Sequence, residues 1–163
     1  MIRRVDKPMD AAALAGTIAL ALSGCGLTAP GKTMTIDEAR SQAVTELRSV
    51  LELAPDTWPQ EVPKPAANDC QVDGQKAVQF SYYVEVITPD DPQVLVEQAS
   101  EHWRKQGYEL TTTRTEMDAQ TGDVSAAVAR AEGKPRASIA ATNTRAHVNV
   151  DSRCVPGDPD DYR

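Results

Sequence analysis

Aromatic residues make up only 4% of the 163-residue chain: one phenylalanine, two tryptophans and four tyrosines. Val, Ala, Leu and Ile must therefore fill most of any core, with Phe80, Trp58, Trp103 and the tyrosines as its few large pieces. Basic residues are also scarce. Seventeen Lys and Arg stand against 24 Asp and Glu, giving a net charge of −7 and a pI near 4.8. That balance excludes general nucleic-acid binding through a basic surface. No long hydrophobic run is present, since the uncharged stretch Ala11–Leu22 falls short of the ~20 residues a membrane-spanning helix needs. The length suits one domain and is too short for two of ordinary size.

Reactive constellations are missing as well. The sequence contains no G-x-S-x-G, no H-E-x-x-H and no C-x-x-C. Its two histidines, His102 and His147, are far apart and fall on different expected elements, so they read as boundary or surface residues. Asp158, Asp160 and Asp161 read as a frayed, solvated terminus and not as a cation site. No catalytic residue, metal ligand or cofactor is assigned, and the chain is expected not to be an enzyme.

The N-terminal segment reads as an address. Arg3, Arg4 and Lys7 precede the apolar stretch, in the manner of an export signal. Leu22-Ser23-Gly24-Cys25 then has the form of a bacterial lipobox: an aliphatic residue, two small ones, and a cysteine that takes a diacylglyceryl group. Residues 1–24 are thus expected to be a lipoprotein signal peptide, Cys25 the lipidation site, and residues 25–35 a flexible tether. Two acyl chains, at ~0.8 kcal/mol per buried CH₂, anchor far more firmly than one. The Arg3-Arg4 pair leaves both the general and the twin-arginine export routes open. The acidic body would be repelled by an anionic membrane surface, so anchorage rests on the lipid.

Gly26–Thr33 satisfies the phosphate-loop pattern G-x-x-x-x-G-K-[ST] letter for letter. That chemistry needs a buried strand before the loop and a helix straight after it. Here an export signal precedes it, and no nucleotide is expected to bind. With Cys25 acylated, Cys70 and Cys154 remain, and outside the cytoplasm such a pair is expected to form a disulfide. The alternative for these two, a metal or catalytic cysteine, has no supporting neighbours.

The body of the chain shows alternating periods. Thr35 and Glu38 form a capping box ahead of a helix expected over 36–53, with Ile36, Ala39, Ala43, Val44, Leu47, Val50 and Leu51 on its apolar face and Glu46 off it. Residues 54–69 carry four prolines and read as an extended connector; its Trp58 either serves as a recognition element or folds back over the core. Residues 77–87 alternate with period two. Asp91, Pro92 and Gly107 then bracket a second helix. Short strands are expected over 108–115, 124–131, 136–142 and 146–153, and 155–163 as a disordered acidic tail. The fold class that follows is α+β. One domain over 36–154 places two helices on one face of a mixed, mostly antiparallel sheet of about five strands. A crossover through the second helix makes the first two strands parallel and the last antiparallel to the first, bringing Cys154 beside Cys70.

These parts together resemble the small membrane lipoproteins of actinobacteria, including mycobacterial and streptomycete ones. The likeness rests on the lipobox Leu22–Cys25, the leading helix, the cysteine before the first long strand, and the terminal Val148-Asn149-Val150-Asp151-Ser152-Arg153-Cys154. The excess of Arg over Lys suits a GC-rich genome. The resemblance implies a lipid-anchored position on the extracytoplasmic face of the cell membrane and carries over no catalytic residue. The expected role is a non-enzymatic binding or protein-interaction module, its partner an envelope protein, lipid or wall polymer, with Trp58, Tyr83 and His147 as candidate contacts. Two other roles compete: a carrier holding an apolar ligand between helices and sheet, where Ala126, Ala127, Ala137, Ala140 and Ala141 leave room, and, behind it, an extracytoplasmic hydrolase.

Overall fold

The computed structural model describes residues 33–87, 89–118 and 121–163. The signal peptide, Cys25, the phosphate-loop match up to Lys32 and most of the tether lie outside the described residues.

Helix α1 (Ile36–Leu51) begins where the capping box directs it. The Glu38 N–H donates to Thr35 Oγ1 at 3.2 Å, and the Thr35 N–H donates to Glu38 Oε2 at 2.9 Å. Each satisfies an amide that the first turn leaves without an intrahelical acceptor. Helix α2 (Pro92–Lys105) starts at Asp91, whose Oδ1 accepts from the Val94 N–H at 3.1 Å. It ends in a Schellman turn: the Gly107 N–H reaches Arg104 O and the Tyr108 N–H reaches Trp103 O, both at 3.0 Å. That turn needs a left-handed residue, and Gly107 adopts φ +82° without a Cβ to clash.

Among the described residues, seven strands form one sheet: β1 (Ala66–Val72), β2 (Gln75–Ile87), β3 (Glu109–Thr115), β4 (Val124–Arg130), β5 (Arg136–Ala141), β6 (Arg145–Asp151) and β7 (Val155–Pro156). The order is β1-β2-β6-β5-β4-β3, with β7 continuing beside β2. Neighbours pair antiparallel throughout. β2 and β3 do run in the same direction, as a helical crossover between them requires, but four strand reversals apart, so the sheet has no parallel ladder. β6 lies antiparallel beside β2, with Ser81 opposite Asp151.

Two strands exceed the expectation. β1 forms a hairpin with β2 through Asp73-Gly74, both at positive φ, the pairing that a two-residue hairpin favours. It takes up the last part of what reads as the proline-rich connector. The C-terminal residues 155–163, expected as a disordered tail, are built into the fold. β7 pairs with β2, and a 3-10 turn over Pro159–Tyr162 buries Pro159 and sets Tyr162 edge-on to Phe80, with ring centres 5.3 Å apart. Lys76 Nζ bonds Asp158 at 2.7 Å, and Arg163 bonds Asp69 at 2.8 Å. Two of the three acidic residues that suggested a solvated tail, Asp158 and Asp160, share Lys76 of the hairpin as their cationic partner.

One row across the sheet shows how the core is made. Val84, Val148, Ile139, Ala127 and Thr112 are successive partners from β2 to β3. The first four are buried beneath the helices and Thr112 is exposed. α1 covers β2, β6 and β7, and α2 covers β3, β4 and β5. Alanines on β4 and β5 let α2 sit close, and Trp103, fully buried, fills the space between the layers. No helix among the described residues is long and apolar enough to cross a membrane.

Candidate binding face

The opposite face of the sheet carries neither helix. The row matching the core row there is Glu85, His147, Ala140, Ala126 and Thr113; the next is Tyr83, Asn149, Ser138, Val128 and Thr111. Tyr83 and His147 are diagonal neighbours on β2 and β6 and stack with ring centres 5.3 Å apart and planes 29° from parallel. Tyr83 is half exposed, at 49%. β1 begins at Ala66, opposite Ser81, so no β1 residue lies in register beside Tyr83. The two candidate contacts that sequence parity places on the polar side of the sheet are therefore brought together.

Polar groups frame this stack. The Tyr83 hydroxyl donates to Glu85 Oε2 at 3.3 Å, and Glu85 pairs with Arg145 at 3.2 Å. Burial, then the Glu85 charge, raise the Tyr83 hydroxyl above its ordinary value. Toward β1, Asn68 donates to Ser81 Oγ at 2.8 Å; Ser81 and Asn149 both donate to Asp151 Oδ1, at 2.6 and 2.9 Å. These groups are already oriented by one another, and a partner docking here would meet donors and acceptors in set positions.

Trp58 is not part of this face. It is 3% exposed and belongs to the core. The turn around Pro55 folds back over the sandwich, with Trp58 N–H bonded to Ala54 O at 3.0 Å. A core this poor in aromatic residues uses the ring as filler, which overturns Trp58 as a partner contact.

Glu46, read as lying off the apolar face of its helix, is also buried, at 8% exposure. Trp103 Nε1–H donates to Glu46 Oε1 at 2.8 Å, and the Tyr108 hydroxyl donates to Oε2 at 3.0 Å. One carboxylate thus joins α1 to α2 and to the entry of β3. No motif announces this. The signal was two polar-tipped aromatics bracketing Gly107, each needing an acceptor once buried. Lys134 Nζ lies 4.9 Å from the centre of the Tyr108 ring on its other side.

Burial, then the Glu46 charge, raise the Tyr108 hydroxyl well above the ordinary 10.0. A raised tyrosine pKa favours the neutral, folded form, so its contribution is complete below pH 10 and lost above it. We expect the melting temperature to fall as pH rises past about 10, and Tyr108→Phe to flatten that fall while lowering stability at pH 7. Thermal melts of both proteins between pH 8 and 11 test this; equal alkaline slopes would exclude Tyr108 as the source.

One serine and one histidine also meet. Ser49 Oγ lies 2.9 Å from His102 Nε2, and Gln106 Nε2 lies 2.8 Å from the same nitrogen. The Ser49 hydroxyl donates to Glu46 O at 2.8 Å, so its one proton is spent on its own helix and is not aimed at the imidazole. The contact ties α1 to α2. Among the described residues, no group of three or more His, Cys, Asp or Glu is placed to hold a metal ion.

Cys70 and Cys154 form a disulfide with Cα atoms 6.2 Å apart, linking β1 to the segment between β6 and β7. Among the small residues expected to leave room for an apolar ligand, Ala127, Ala137 and Ala141 are packed into the core, while Ala140 lies in the open-face row.

No protein-family model matches the chain, and no curated protein matches it. Among solved structures it is similar to the crystal structure of a DUF4853 family protein from Actinomyces odontolyticus. The TM-score is 0.53 at 14% identity, over 77% of this chain and 71% of the other. At that identity the likeness concerns the fold alone, and it supports the α+β arrangement of two helices on a mostly antiparallel sheet.

Proposed function

We propose that the protein is a cell-envelope lipoprotein, anchored through acylated Cys25 on the extracytoplasmic face. Its domain acts as a non-enzymatic binding module through the open sheet face around Tyr83 and His147. The stacked, half-exposed Tyr83–His147 pair is the observation that carries this reading: aromatic area already ordered on a sheet face that neither α1 nor α2 covers offers a partner contact at little ordering cost. The polar frame around it would give direction to the contact. The disulfide suits the same compartment. The partner is an envelope protein, lipid or wall polymer.

Tyr83→Ala is expected to leave the fold intact, at roughly 1–2 kcal/mol for the lost stack on His147 and the strand position, and, in a Cys25→Ser background that removes retention by the lipid, to abolish binding of the added protein to isolated envelope fractions. A p-benzoyl-phenylalanine at position 83 should crosslink to the partner. Unchanged binding of Tyr83→Ala together with His147→Ala in that unlipidated background would contradict the use of this face.

A further inference from the structure

β3 stands at one end of the strand order and pairs, among the described residues, with β4 alone. Among the described residues, its outer row of backbone N–H and C=O groups therefore has no strand partner. Natural edges are usually blunted by proline, lysine, a bulge or a covering element. β3, Glu-Leu-Thr-Thr-Thr-Arg-Thr, has neither proline nor lysine, and its burial is slight along its whole length. Its one arginine does not guard the edge, because Arg114 Nε is drawn to Asp123 at 2.6 Å and Nη1 to Gln93 Oε1 at 3.2 Å.

Beside this edge runs a groove of about 680 Å³, between the flank of α2 and the helix-side face of β3 and β4. That volume lies within the range of ligand-binding clefts. The groove arises because α2 sits inboard, leaving Thr112 and Arg114 uncovered. Two of its lining groups have unmet capacity. Ser100 is 6% exposed and its hydroxyl has no hydrogen-bond partner. The Arg104 side chain, on the exposed flank, has no hydrogen bond and no ion pair within 4 Å among the described residues; Glu101, which feels its charge, is instead held by the neighbouring Lys105 at 2.8 Å.

We propose that β3 and this groove bind an extended peptide segment of a partner protein. The segment adds as the next strand of the sheet, with alternate side chains in the groove and an acidic one paired with Arg104. Strand addition takes affinity from the free backbone groups and selectivity from the alternate side chains, and a groove flanked by a helix and an edge strand offers both. A second copy of the chain fits less well. Gln93 lies level with Arg114, so at ~1.5 Å per helical and ~3.3 Å per strand residue, Glu97 lies level with Thr112. Two-fold pairing of β3 through Thr112 would then set Glu97 against the Glu97 of the copy. This surface is separate from the open face and stands or falls independently of it.

The test uses the full chain, purified in detergent, against a phage-displayed library of random peptides of about ten residues. Selected peptides are synthesised and their affinities measured by fluorescence anisotropy, with amide exchange followed across Glu109–Thr115. Adjacent strand residues point their N–H groups to opposite sides, so of Thr112→Pro and Thr113→Pro one spares the β3–β4 ladder and blocks only the outer edge. The variant that keeps the parent melting temperature is the informative one. It should weaken binding about tenfold or more, and the peptide should slow exchange in β3. Arg104→Glu should weaken the same peptides, and replacing their acidic residue with lysine should restore affinity for that variant. Selected peptides indifferent to the proline and to Arg104→Glu would overturn the proposal. So would failure to select any, or a concentration-dependent dimer that the same proline abolishes, which would assign the edge to a second copy.

Discussion

Trp103→Ala is expected to cost roughly 3–5 kcal/mol, a large share of what holds a domain of this size together. The ring is fully buried among residues of both layers, so its removal leaves a cavity that two helices and a sheet cannot close by collapse. It also takes one of two donors from Glu46, a carboxylate at 8% exposure. A buried charge left short of partners adds to the cavity term. The control is Trp103→Phe, which keeps most of the volume and loses the indole N–H. It should cost about 1.5–3 kcal/mol, the value of a hydrogen bond to a charged group. Urea denaturation should show the alanine variant with the lower midpoint. Equal midpoints would mean that the Glu46 bond, and not the packing, dominates at this site.

The second large effect is expected from the disulfide. Replacing both Cys70 and Cys154 by serine should destabilise the domain by roughly 2–5 kcal/mol. A sequence separation of 84 puts the chain-entropy value near 4.6 kcal/mol. The bond fastens the β1–β2 hairpin to the exit of β6, the region that also receives the C-terminal turn. Its loss should therefore appear first as faster amide exchange in Ala66–Val72 and Val155–Pro156, with Val148 and Ile139 still protected. The double variant and the reduced parent should share one denaturation midpoint. A loss below about 1 kcal/mol would show that the unfolded chain is already compact enough for the crosslink to restrict little.

The parts of the fold legible from sequence are those whose local signals and tertiary burial agree. The Thr35–Glu38 box, the Asp91-Pro92 start and Gly107 mark the helix ends because capping is local chemistry. β2 and β6 alternate cleanly because each has one buried face. β1 has no such pattern: Ala66–Val72 holds small and polar residues ahead of one valine and is partly exposed on both sides. Only Asp73-Gly74, a strong hairpin turn, could have flagged it. β7 and the terminal turn are too short to carry periodicity and depend on partners far away in sequence, such as Lys76 and Phe80.

The same division holds for the candidate site. Parity alone places Tyr83 and His147 on the uncovered side, and register then stacks them. Trp58 and Glu46 depend on contacts from elsewhere in the chain. Of the two roles open to an indole in a proline-rich turn, the thin core claims it and the partner contact falls away. A glutamate on a helix looks solvated until Trp103 and Tyr108 arrive as donors from another element. In both cases tertiary contact decides the matter; for Glu46 the one sign in the sequence is the pair of polar-tipped aromatics on either side of Gly107, each needing an acceptor once buried.

The central claim is that the chain works outside the cytoplasm, held by a lipid at Cys25. Intact mass of the protein extracted from membranes, with and without reductant, tests it most directly. The account predicts a chain that begins at acylated Cys25 and gains two hydrogens on reduction, from the Cys70–Cys154 bond. A chain that begins at Met1, with Cys25 unmodified and all thiols free, would contradict it.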